Sequence, residues 1–341
     1  MVGTFLTVVL LTGTCLVGAF LAGAPPAEAS IPLAEPVSVL DRVGPASFFS
    51  SPLDVAVDTT GGLIVIADTG NHCIRIFDLG GYPISSFPHR VDGGRGSVPG
   101  EPKALAVDRQ GFLYVLDALA SYVDVVDLLG YAVRRIDPAT ISPGGIDTTA
   151  LISAGERNEN LVPVALALDT EDRLILAVGG QQSRVWGLDE HDGIRWTLDG
   201  TEEGGAPFGA ITDLFVDGEG RVFVVDGTST PAVRVYAPGG RRLLGFGLHD
   251  VGNENFSLPT SVVSTSDGRI WVLDTMRQVI KIFDGEGRFL DRIGGLGRDM
   301  GAFTYPSALA MDGKGSLFVL ERVGARLTTF RIAESVVQQA P

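Results

Sequence analysis

The sequence predicts an all-β protein in which six similar units of four strands close into a ring. The main observation is a repeat: an apolar strand, a glycine turn, a second apolar strand and an acidic residue recur six times, as in residues 53–68. Such repetition indicates units that bury their apolar faces by stacking on one another. The 45 glycines and 19 prolines fit many short strands with tight turns, and no segment after residue 30 has a helical apolar period.

The spacing within the repeat is constant. In every unit a turn residue lies six positions before the residue that ends the second strand, and that residue is acidic in five units. The third unit departs most, because an aspartate stands at the turn and a valine replaces the acid. The six pairs are Gly62/Asp68, Gly111/Asp117, Asp172/Val178, Gly220/Asp226, Gly268/Asp274 and Gly315/Glu321.

Each unit contains four strands in chain order. In the first unit we expect them at about 53–58, 63–67, 73–78 and 82–87. Glycine-containing turns separate the first strand from the second and the third from the fourth. A proline precedes most of the innermost strands, where its missing N–H costs no hydrogen bond of the sheet.

The sixth unit has no fourth strand of its own, because few residues follow its third strand at 326–331. Residues 37–44 (VSVLDRVG) resemble residues 289–295 (FLDRIGG), the fourth strand of the fifth unit. We therefore expect 37–44 to pair with 326–331, which closes the ring and covers a free sheet edge. The repeat domain then spans 37–332 and is followed by a C-terminal tail, 333–341.

Residues 1–29 predict a signal peptide. Residues 4–24 carry no charge, and the small residues Ala27 and Ala29 precede a suitable cleavage point. The uncharged run is also long enough to span a bilayer, so an uncleaved membrane anchor is the alternative. In both cases the folded body lies outside the cytoplasm, periplasmic or secreted, and contact with the membrane is confined to this segment.

The composition restricts the partners. A net charge of −15 repels phosphate backbones, so no nucleic-acid partner is expected. Cleavage after Ala29 removes Cys15 and leaves Cys73, which starts a strand and fits a buried apolar role. We expect the closed ring to be a monomer.

Two segments show a family resemblance. Residues 52–78, which include PLDVAVD and IADTGNHCIRIFD, resemble the NHL repeat, as does the glycine-rich connector at 293–306 with the PSALAMD that completes it. The resemblance extends over residues 37–332. It implies a six-bladed β-propeller with four-stranded blades, closed by an N-terminal strand in the last blade, and it says little about activity.

Acidic residues recur where the second strand of a unit ends. A short carboxylate at this position can accept backbone N–H groups and fix the turn. Because the acids are periodic and catalytic residues are unique, we interpret them as structural. The acids are Asp68, Asp117, Asp226, Asp274 and Glu321, and the bases expected to face many of them are Arg75, Arg184, Arg234, Lys281 and Arg326.

The first residues of the innermost strands surround the ring centre and break the repeat. Asp54 and Asp213 would place two carboxylates near one mouth of the central channel, where oxygen ligands can hold a hard cation such as Ca²⁺. Lys103 adds the opposite charge and Thr260 a hydroxyl group. These four are the candidate ligand-binding residues, and the alternative is that each is a solvated side chain at the rim.

The sequence contains no recognisable catalytic set. Related six-bladed lyases that cleave amidated-peptide precursors hold zinc with histidines from several blades, whereas only His72 stands at the corresponding loop here. The calcium-binding Glu, Asn and Asp residues of gluconolactonase-like and strictosidine-synthase-like propellers find no motif-by-motif match. We predict no catalytic residue and no cofactor other than a possible Ca²⁺, and the metal stays unassigned.

Two functions fit these observations. The first is an exported, non-catalytic propeller that binds or scaffolds a protein, peptide or envelope ligand through one face of the ring. The alternative is a propeller hydrolase or lyase with a divalent cation in the central channel. The residues favour the first hypothesis, and neither the partner, the substrate nor the pathway follows from them.

Overall fold

Six four-stranded antiparallel sheets make up the described part of the chain, which in this computed structural model comprises residues 33–44, 47–141 and 161–333. Each inner strand contacts the inner strands of both neighbouring sheets, so the sheets close into a ring. The predicted six-bladed propeller is confirmed, and we number its blades in chain order. The predicted signal segment 1–29 and tail residues 334–341 lie outside the described residues. Within the described ranges, no helix has the length and apolar character needed to cross a membrane.

The two strands nearest the ring axis are the inner and second strands. The inner strands are Asp54–Asp58, Pro102–Val107, Val162–Leu168, Ile211–Val216, Pro259–Ser264 and Pro306–Met311. The second strands are Leu63–Asp68, Leu113–Asp117, Leu174–Gly179, Val222–Asp226, Ile270–Asp274 and Ser316–Glu321. The second strands are almost completely buried, because each blade packs against a neighbour on both faces, and this is why they read as continuous apolar runs.

The third and outer strands complete each blade. The third strands are Cys73–Asp78, Val123–Val126, Arg184–Leu188, Val233–Tyr236, Val279–Phe283 and Arg326–Ile332. The outer strands are Pro83–Pro88, Ala132–Ile136, Ile194–Leu198, Arg242–Phe246, Phe289–Gly294 and Ala34–Leu40. Two small hairpins lie in connectors between blades: Arg42–Gly44 with Ser47–Phe48, and Arg90–Asp92 with Ser97–Pro99. The 3₁₀ turns Pro138–Thr140 and Glu202–Gly204 also lie in connectors, whereas the 3₁₀ turn Thr69–Asn71 joins the second and third strands of blade one.

The two ends of the ring differ. At one end, which we call the mouth face, the connectors enter the inner strands and the second strands turn into the third strands. At the opposite end, the turn face, lie the turns from first to second and from third to fourth strand. Aspartates stabilise the turn face: Asp58, for example, accepts hydrogen bonds from the backbone N–H groups of Thr60 and Gly61 through Oδ1, both at 2.8 Å.

The predicted closure of the ring by an N-terminal strand is confirmed, but the strand begins three residues earlier and ends four residues earlier than the predicted segment. Ala34–Leu40 pairs antiparallel with Arg326–Ile332, and the N–H of Ala333 donates to the carbonyl of Leu33 at 2.9 Å. The predicted segment was 37–44, yet Arg42–Gly44 belongs to a separate hairpin. Outer strands are largely exposed, so their side chains specify register weakly, and the buried Ala34 rather than the shared LDR motif anchors this strand.

Aromatic side chains from the connectors fill the seams between blades. Phe49 packs between blades six and one, Phe256 between blades four and five, and Phe303 between blades five and six. Each of the three side chains is at most 4% exposed. Gly294 turns with φ of +96°, and a Cβ there would lie 2.3 Å from the Phe303 ring, so only glycine fits beside this plug. The connectors are thereby held against the core.

Candidate functional site

The inner strands surround a central channel with a volume of about 270 Å³. In blades two to six, the pairing between the inner and second strands is interrupted near the start of the inner strand. One residue of the inner strand is left there without a partner on the second strand. The displaced residues line the channel where it opens on the mouth face: Lys103, Val164, Thr212, Thr260 and Ser307, with Leu53 at the corresponding place in blade one. Bulges of this kind re-aim side chains and are common beside functional sites. All four predicted candidates, Asp54, Lys103, Asp213 and Thr260, line this channel.

Asp54 joins the inner strands of blades one and two. Its Oδ1 accepts a hydrogen bond from the N–H of Val55 at 2.8 Å, and its Oδ2 accepts one from the N–H of Leu105, on the next blade, at 2.7 Å. The side chain is half-buried because it borders the channel. Burial at the ring centre raises the pKa of Asp54 to about 7, against the opposing effect of the two N–H groups.

Asp213 repeats this arrangement in blade four, on the opposite side of a six-bladed ring. Its Oδ1 accepts a hydrogen bond from the N–H of Leu214 at 2.9 Å, and its Oδ2 accepts one from the N–H of Val262, on blade five, at 2.9 Å. Burial and the carboxylate of Asp54 together raise the pKa of Asp213 to about 8. Burial and mutual repulsion therefore disfavour two full negative charges in the channel.

The other blades have smaller residues at the equivalent position. Blade five has Ser261, whose Oγ accepts a hydrogen bond from the N–H of Leu309 on blade six at 3.1 Å. Blades two, three and six have alanine there, at residues 104, 165 and 308. The small residues between them leave space beside the two carboxyl groups, which lie in the same channel wall as Lys103 and the hydroxyl groups of Thr212, Thr260 and Ser307.

The hydroxyl groups at the mouth connect adjacent blades. Thr260 lies 2.5 Å from the hydroxyl of Thr275, Oγ1 to Oγ1. Hydroxyl groups also donate to the carbonyl of the proline that begins the following inner strand, and this pattern recurs around the ring. The donors and acceptors are Thr69 to Pro102 at 2.7 Å, Thr212 to Pro259 at 2.9 Å, Thr275 to Pro306 at 2.8 Å and Ser307 to Pro52 at 3.2 Å.

Lys103 differs from these residues because its amino group has no hydrogen bond or ion pair with any described residue. The side chain is half-buried, and burial lowers the pKa of its amino group. Among residues 33–44, 47–141 and 161–333, nothing at the channel mouth engages this amino group.

A divalent cation in the channel would have few protein ligands. Asp54, Asp213 and the hydroxyl of Ser261 offer oxygen atoms of the kind that Ca²⁺ prefers. Each carboxylate oxygen already accepts a backbone N–H, however, and one lone pair per oxygen remains. Within residues 33–44, 47–141 and 161–333, no three His, Cys, Asp or Glu side chains gather as a metal-binding group.

The recurring acids attach the connectors to the blades. In four blades the carboxylate accepts a hydrogen bond from a connector N–H just before the inner strand of the same blade. These bonds run from Ser50 to Asp68 at 2.8 Å, Gly209 to Asp226 at 2.8 Å, Ser257 to Asp274 at 2.9 Å and Thr304 to Glu321 at 2.7 Å. The acids therefore position the loops of the mouth face and do not line the channel.

Three of the expected bases lie near their acids. Arg75 pairs with Asp68 and Arg326 with Glu321, each with Nε to carboxylate oxygen at 2.5 Å, and Lys281 Nζ lies 3.9 Å from Asp274. Arg234 differs: its guanidinium is fully buried over the Phe208 ring and donates to Ser229 Oγ at 2.9 Å. In blade three, Val178 replaces the recurring acid, so Arg184 has no acid at that position to face.

Blade two contains a buried pair that the sequence did not indicate. His89 Nε2 lies 3.4 Å from Asp117 Oδ2, and both side chains are almost fully buried below the hairpin of residues 90–99. Burial lowers the pKa of His89 and raises that of Asp117. The pair takes the place of the connector N–H that the equivalent acids bind, and His89 is recognisable in sequence only as an unassigned histidine.

The mouth face also exposes a series of large apolar side chains, which sequence reasoning missed. Val251 is 83% exposed and Leu296 75%. We call the set the apolar rim: Phe48, Leu119, Leu248, Val251, Met276, Leu296, Met300, Tyr305 and Val323. All lie in connectors or in turns between second and third strands. Apolar residues inside glycine-rich loops are the signal that would have found them.

Comparison with known families agrees with this architecture. Residues 49–77 match the NHL repeat family, and residues 253–339 match a family described as a 6-bladed beta-propeller. These matches confirm the resemblance to NHL-repeat propellers. No curated protein matches the chain in sequence.

Solved structures share the fold at low sequence identity. A structural genomics protein of unknown function from Bacteroides thetaiotaomicron has 13% identity and a TM-score of 0.57, covering 88% of this chain and 72% of its own. Virginiamycin B lyase from Staphylococcus aureus has 11% identity and a TM-score of 0.55, covering 87% and 99%. Kuenenia stuttgartiensis hydrazine synthase has 12% identity and a TM-score of 0.55, covering 84% and 96%. At this identity the likeness shows the fold alone.

Proposed function

We propose that this protein is an exported propeller that binds a protein or peptide ligand through its mouth face and acts as a scaffold, not as an enzyme. The apolar rim is the observation that carries the proposal. Nine large apolar side chains exposed on one face are typical of an interaction surface, because their contact with water is unfavourable until a partner covers them.

The loops of the mouth face are suited to binding because the blades hold them rigidly. The recurring acids accept backbone N–H groups from the connectors, and buried phenylalanines pack beneath them. A surface that is already ordered loses little conformational entropy when it binds. Rigid scaffolds with binding loops at one end are a common arrangement.

The channel mouth lies at the centre of this surface. Asp54, Lys103, Asp213 and Thr260 would receive a polar or charged group of the ligand while the apolar rim contacts its surroundings. Burial raises the pKa values of Asp54 and Asp213, so these carboxyl groups favour a ligand group that donates a hydrogen bond or carries positive charge.

The predicted export places the partner outside the cytoplasm. Residues 1–29 would direct the ring to the periplasm or the medium, or anchor it at the membrane if they are not cleaved. The acidic chain would not select nucleic acids, so the ligand classes that remain are proteins, peptides and other envelope components.

Site-specific photo-crosslinking tests this function. A photoreactive amino acid replaces Val251, Met276 or Val323 on the mouth face, and Leu129 or Tyr131 on the turn face serves as the matched control, since both control residues are about equally exposed. We expect reproducible adducts in cell-envelope preparations from the mouth-face positions alone. Adducts that form equally from both faces, or from neither, would reject the proposal.

The alternative is a hydrolase or lyase with a divalent cation, and the carboxyl groups of Asp54 and Asp213 on opposite sides of the channel favour it. Elemental analysis of the purified protein, with melting temperatures before and after chelation, separates the two functions. A stoichiometric metal whose removal lowers the melting temperature in the wild type, but not in a D54N/D213N variant, would establish the alternative. Protein without metal and with an unchanged melting temperature would eliminate it.

A further inference from the structure

Charge is distributed unevenly around the ring. The whole chain has a net charge of −15, yet residues 259–333, which form most of blades five and six, contain ten Lys and Arg against eight Asp and Glu. These two blades are therefore weakly basic, with a net charge of +2, in a strongly acidic molecule. Such an asymmetry directs a charged partner to one part of a surface.

The apolar rim is densest in the same two blades. Met276, Leu296, Met300 and Val323 are between 53% and 75% exposed, and Arg298 and Arg322 are exposed among them. Neither arginine side chain has an ion pair or hydrogen bond with a described residue. We call these six residues the apolar–basic patch. Methionine and arginine are both enriched at protein interfaces.

Hydrogen bonds link the segments that carry the patch residues. The connector of residues 295–305 lies between the turn that carries Met276 and the turn that carries Arg322 and Val323. At its end, the N–H of Tyr305 donates to Gln278 Oε1 at 3.4 Å, and the N–H of Arg322 donates to the Tyr305 carbonyl at 2.9 Å. Both turns are thus joined to the connector that presents Leu296, Arg298 and Met300.

The connector of residues 295–305 is held against the blades by Arg326 and Phe303. Arg326 donates from Nη1 to the carbonyl of Arg298 at 2.7 Å and from Nη2 to the carbonyl of Ala302 at 2.8 Å, while its Nε pairs with Glu321. The Phe303 ring is completely buried between the blades. Arg326 is therefore committed to the fold, and Arg298 and Arg322 are the arginines that remain for a partner.

We propose that the apolar–basic patch binds a peptide segment in which apolar side chains alternate with Asp or Glu. This inference rests on the proposed function and specifies the part of the mouth face and the chemistry of the partner. Arg298 and Arg322, which have no partner among the described residues, complement carboxylates, and the methionines and Leu296 provide apolar contact area. One exposed acid, Asp299, lies between the patch residues Arg298 and Met300 in the chain, and the two arginines outnumber it.

Three synthetic peptides test the proposal. All three peptides have leucine and phenylalanine at the same positions. The positions between these apolar residues are Glu and Asp in the acidic peptide, Gln and Ser in the neutral peptide, and Lys and Arg in the basic peptide. Fluorescence anisotropy with the purified protein should give the acidic peptide an affinity about 10-fold above that of the basic one, and a higher salt concentration should reduce the difference. R298E and R322E should each weaken acidic-peptide binding about 5-fold, as should L296S/M300S.

Matched variants on the turn face serve as controls. R241E changes the net charge by the same amount at an exposed position, and L129S/Y131S removes comparable apolar surface. Equal affinity for the three peptides, no binding of any, or equal losses in the controls would overturn the proposal. Self-association of the protein that R298E abolishes would identify a second copy as the occupant and would also overturn it.

The experiments distinguish a failure of the apolar–basic patch as the contact site from a failure of the proposed binding function. If mouth-face crosslinks form but are unchanged by R298E, R322E and L296S/M300S, the apolar–basic patch is not the contact site and the binding function remains. If no mouth-face position gives an adduct, the binding function itself is wrong.

Discussion

At the residue scale, Asp54 and Asp213 join neighbouring blades and also border the central channel. Each accepts one backbone N–H from its own inner strand and one from the next blade, and so links two blades at the ring centre. Each also faces a confined channel in which a second carboxyl group lies opposite. The N–H groups favour the charged form, but burial has the larger effect, and the pKa values of both groups rise.

The raised pKa of Asp213 predicts a pH-dependent stability. In the unfolded chain the pKa of aspartate is about 3.9. Because folding raises it to about 8, this group stabilises the fold fully below the unfolded value, and the contribution is lost as the pH rises through the folded value. D213N stays neutral throughout. We expect the unfolding free energy of the wild type relative to D213N to fall by about 1–3 kcal/mol between acidic and mildly alkaline pH.

Urea unfolding over this pH range measures the effect. The lost hydrogen-bond acceptor in D213N gives an offset that does not depend on pH, so only the trend is informative. D41N, which makes the same substitution at an exposed aspartate outside the channel, is the control. A constant difference between wild type and D213N would contradict the assigned pKa.

At the element scale, the closing strand decides whether the ring is complete. Ala34–Leu40 supplies the outer strand of blade six and covers the edge of Arg326–Ile332. Its first residue, Ala34, is 5% exposed and packs in the cluster that contains Phe303, Phe330 and Ile332. Val37 lies at the irregularity of the same strand and is 42% exposed.

This difference in burial predicts that an aspartate introduced at residue 34 destabilises the fold much more than one introduced at residue 37. A34D places a carboxylate in an apolar cluster and should lower the free energy of unfolding by about 3 kcal/mol, because a buried charge without a partner is costly. V37D should change it by less than about 0.5 kcal/mol. Chemical denaturation of the two variants checks the prediction, and equal effects would show that the strand does not close the ring in this register.

At the scale of the whole molecule, the two ends of the described domain meet. The hydrogen bond from Ala333 to Leu33 places them side by side at the turn face. Distant segments also meet around the ring, since Ser307 of blade six bonds to Pro52, which is 255 positions away, just before the inner strand of blade one. The ring should therefore tolerate a break wherever the backbone is exposed and carries few contacts.

A circular permutant tests this closure. Joining Ala333 to Leu33 through Asn-Gly and opening the chain between Gly94 and Arg95, at the exposed hairpin tip, should preserve the fold. We expect an unchanged circular dichroism spectrum and a melting temperature within about 5 °C of the unpermuted domain. A second permutant, opened between Val55 and Ala56 in an inner strand, should not fold. If the first permutant also fails to fold, the two ends are not adjacent.

The repeat made much of the fold predictable from the sequence. Because each blade is a local unit, the constant spacing from Gly62 to Asp68 and its five copies determined the number of blades and the order of their strands. It also predicted that Asp54, Lys103, Asp213 and Thr260 lie at corresponding places beside the channel. Local patterns suffice here because neighbouring strands within a blade are close in the chain.

Contacts between blades were decided only by the tertiary structure. The closing strand pairs in a register that the LDR motif did not predict, since its mostly exposed side chains distinguish the alternatives poorly. The partners of Asp54 and Asp213, their raised pKa values and the clustering of Leu296, Met276 and Val323 all join residues that are far apart in sequence. Sequence periodicity determined the strands of each blade and their order. Which side chains are exposed together on the mouth face was determined by burial and by contacts between blades, which exist only after the ring has closed.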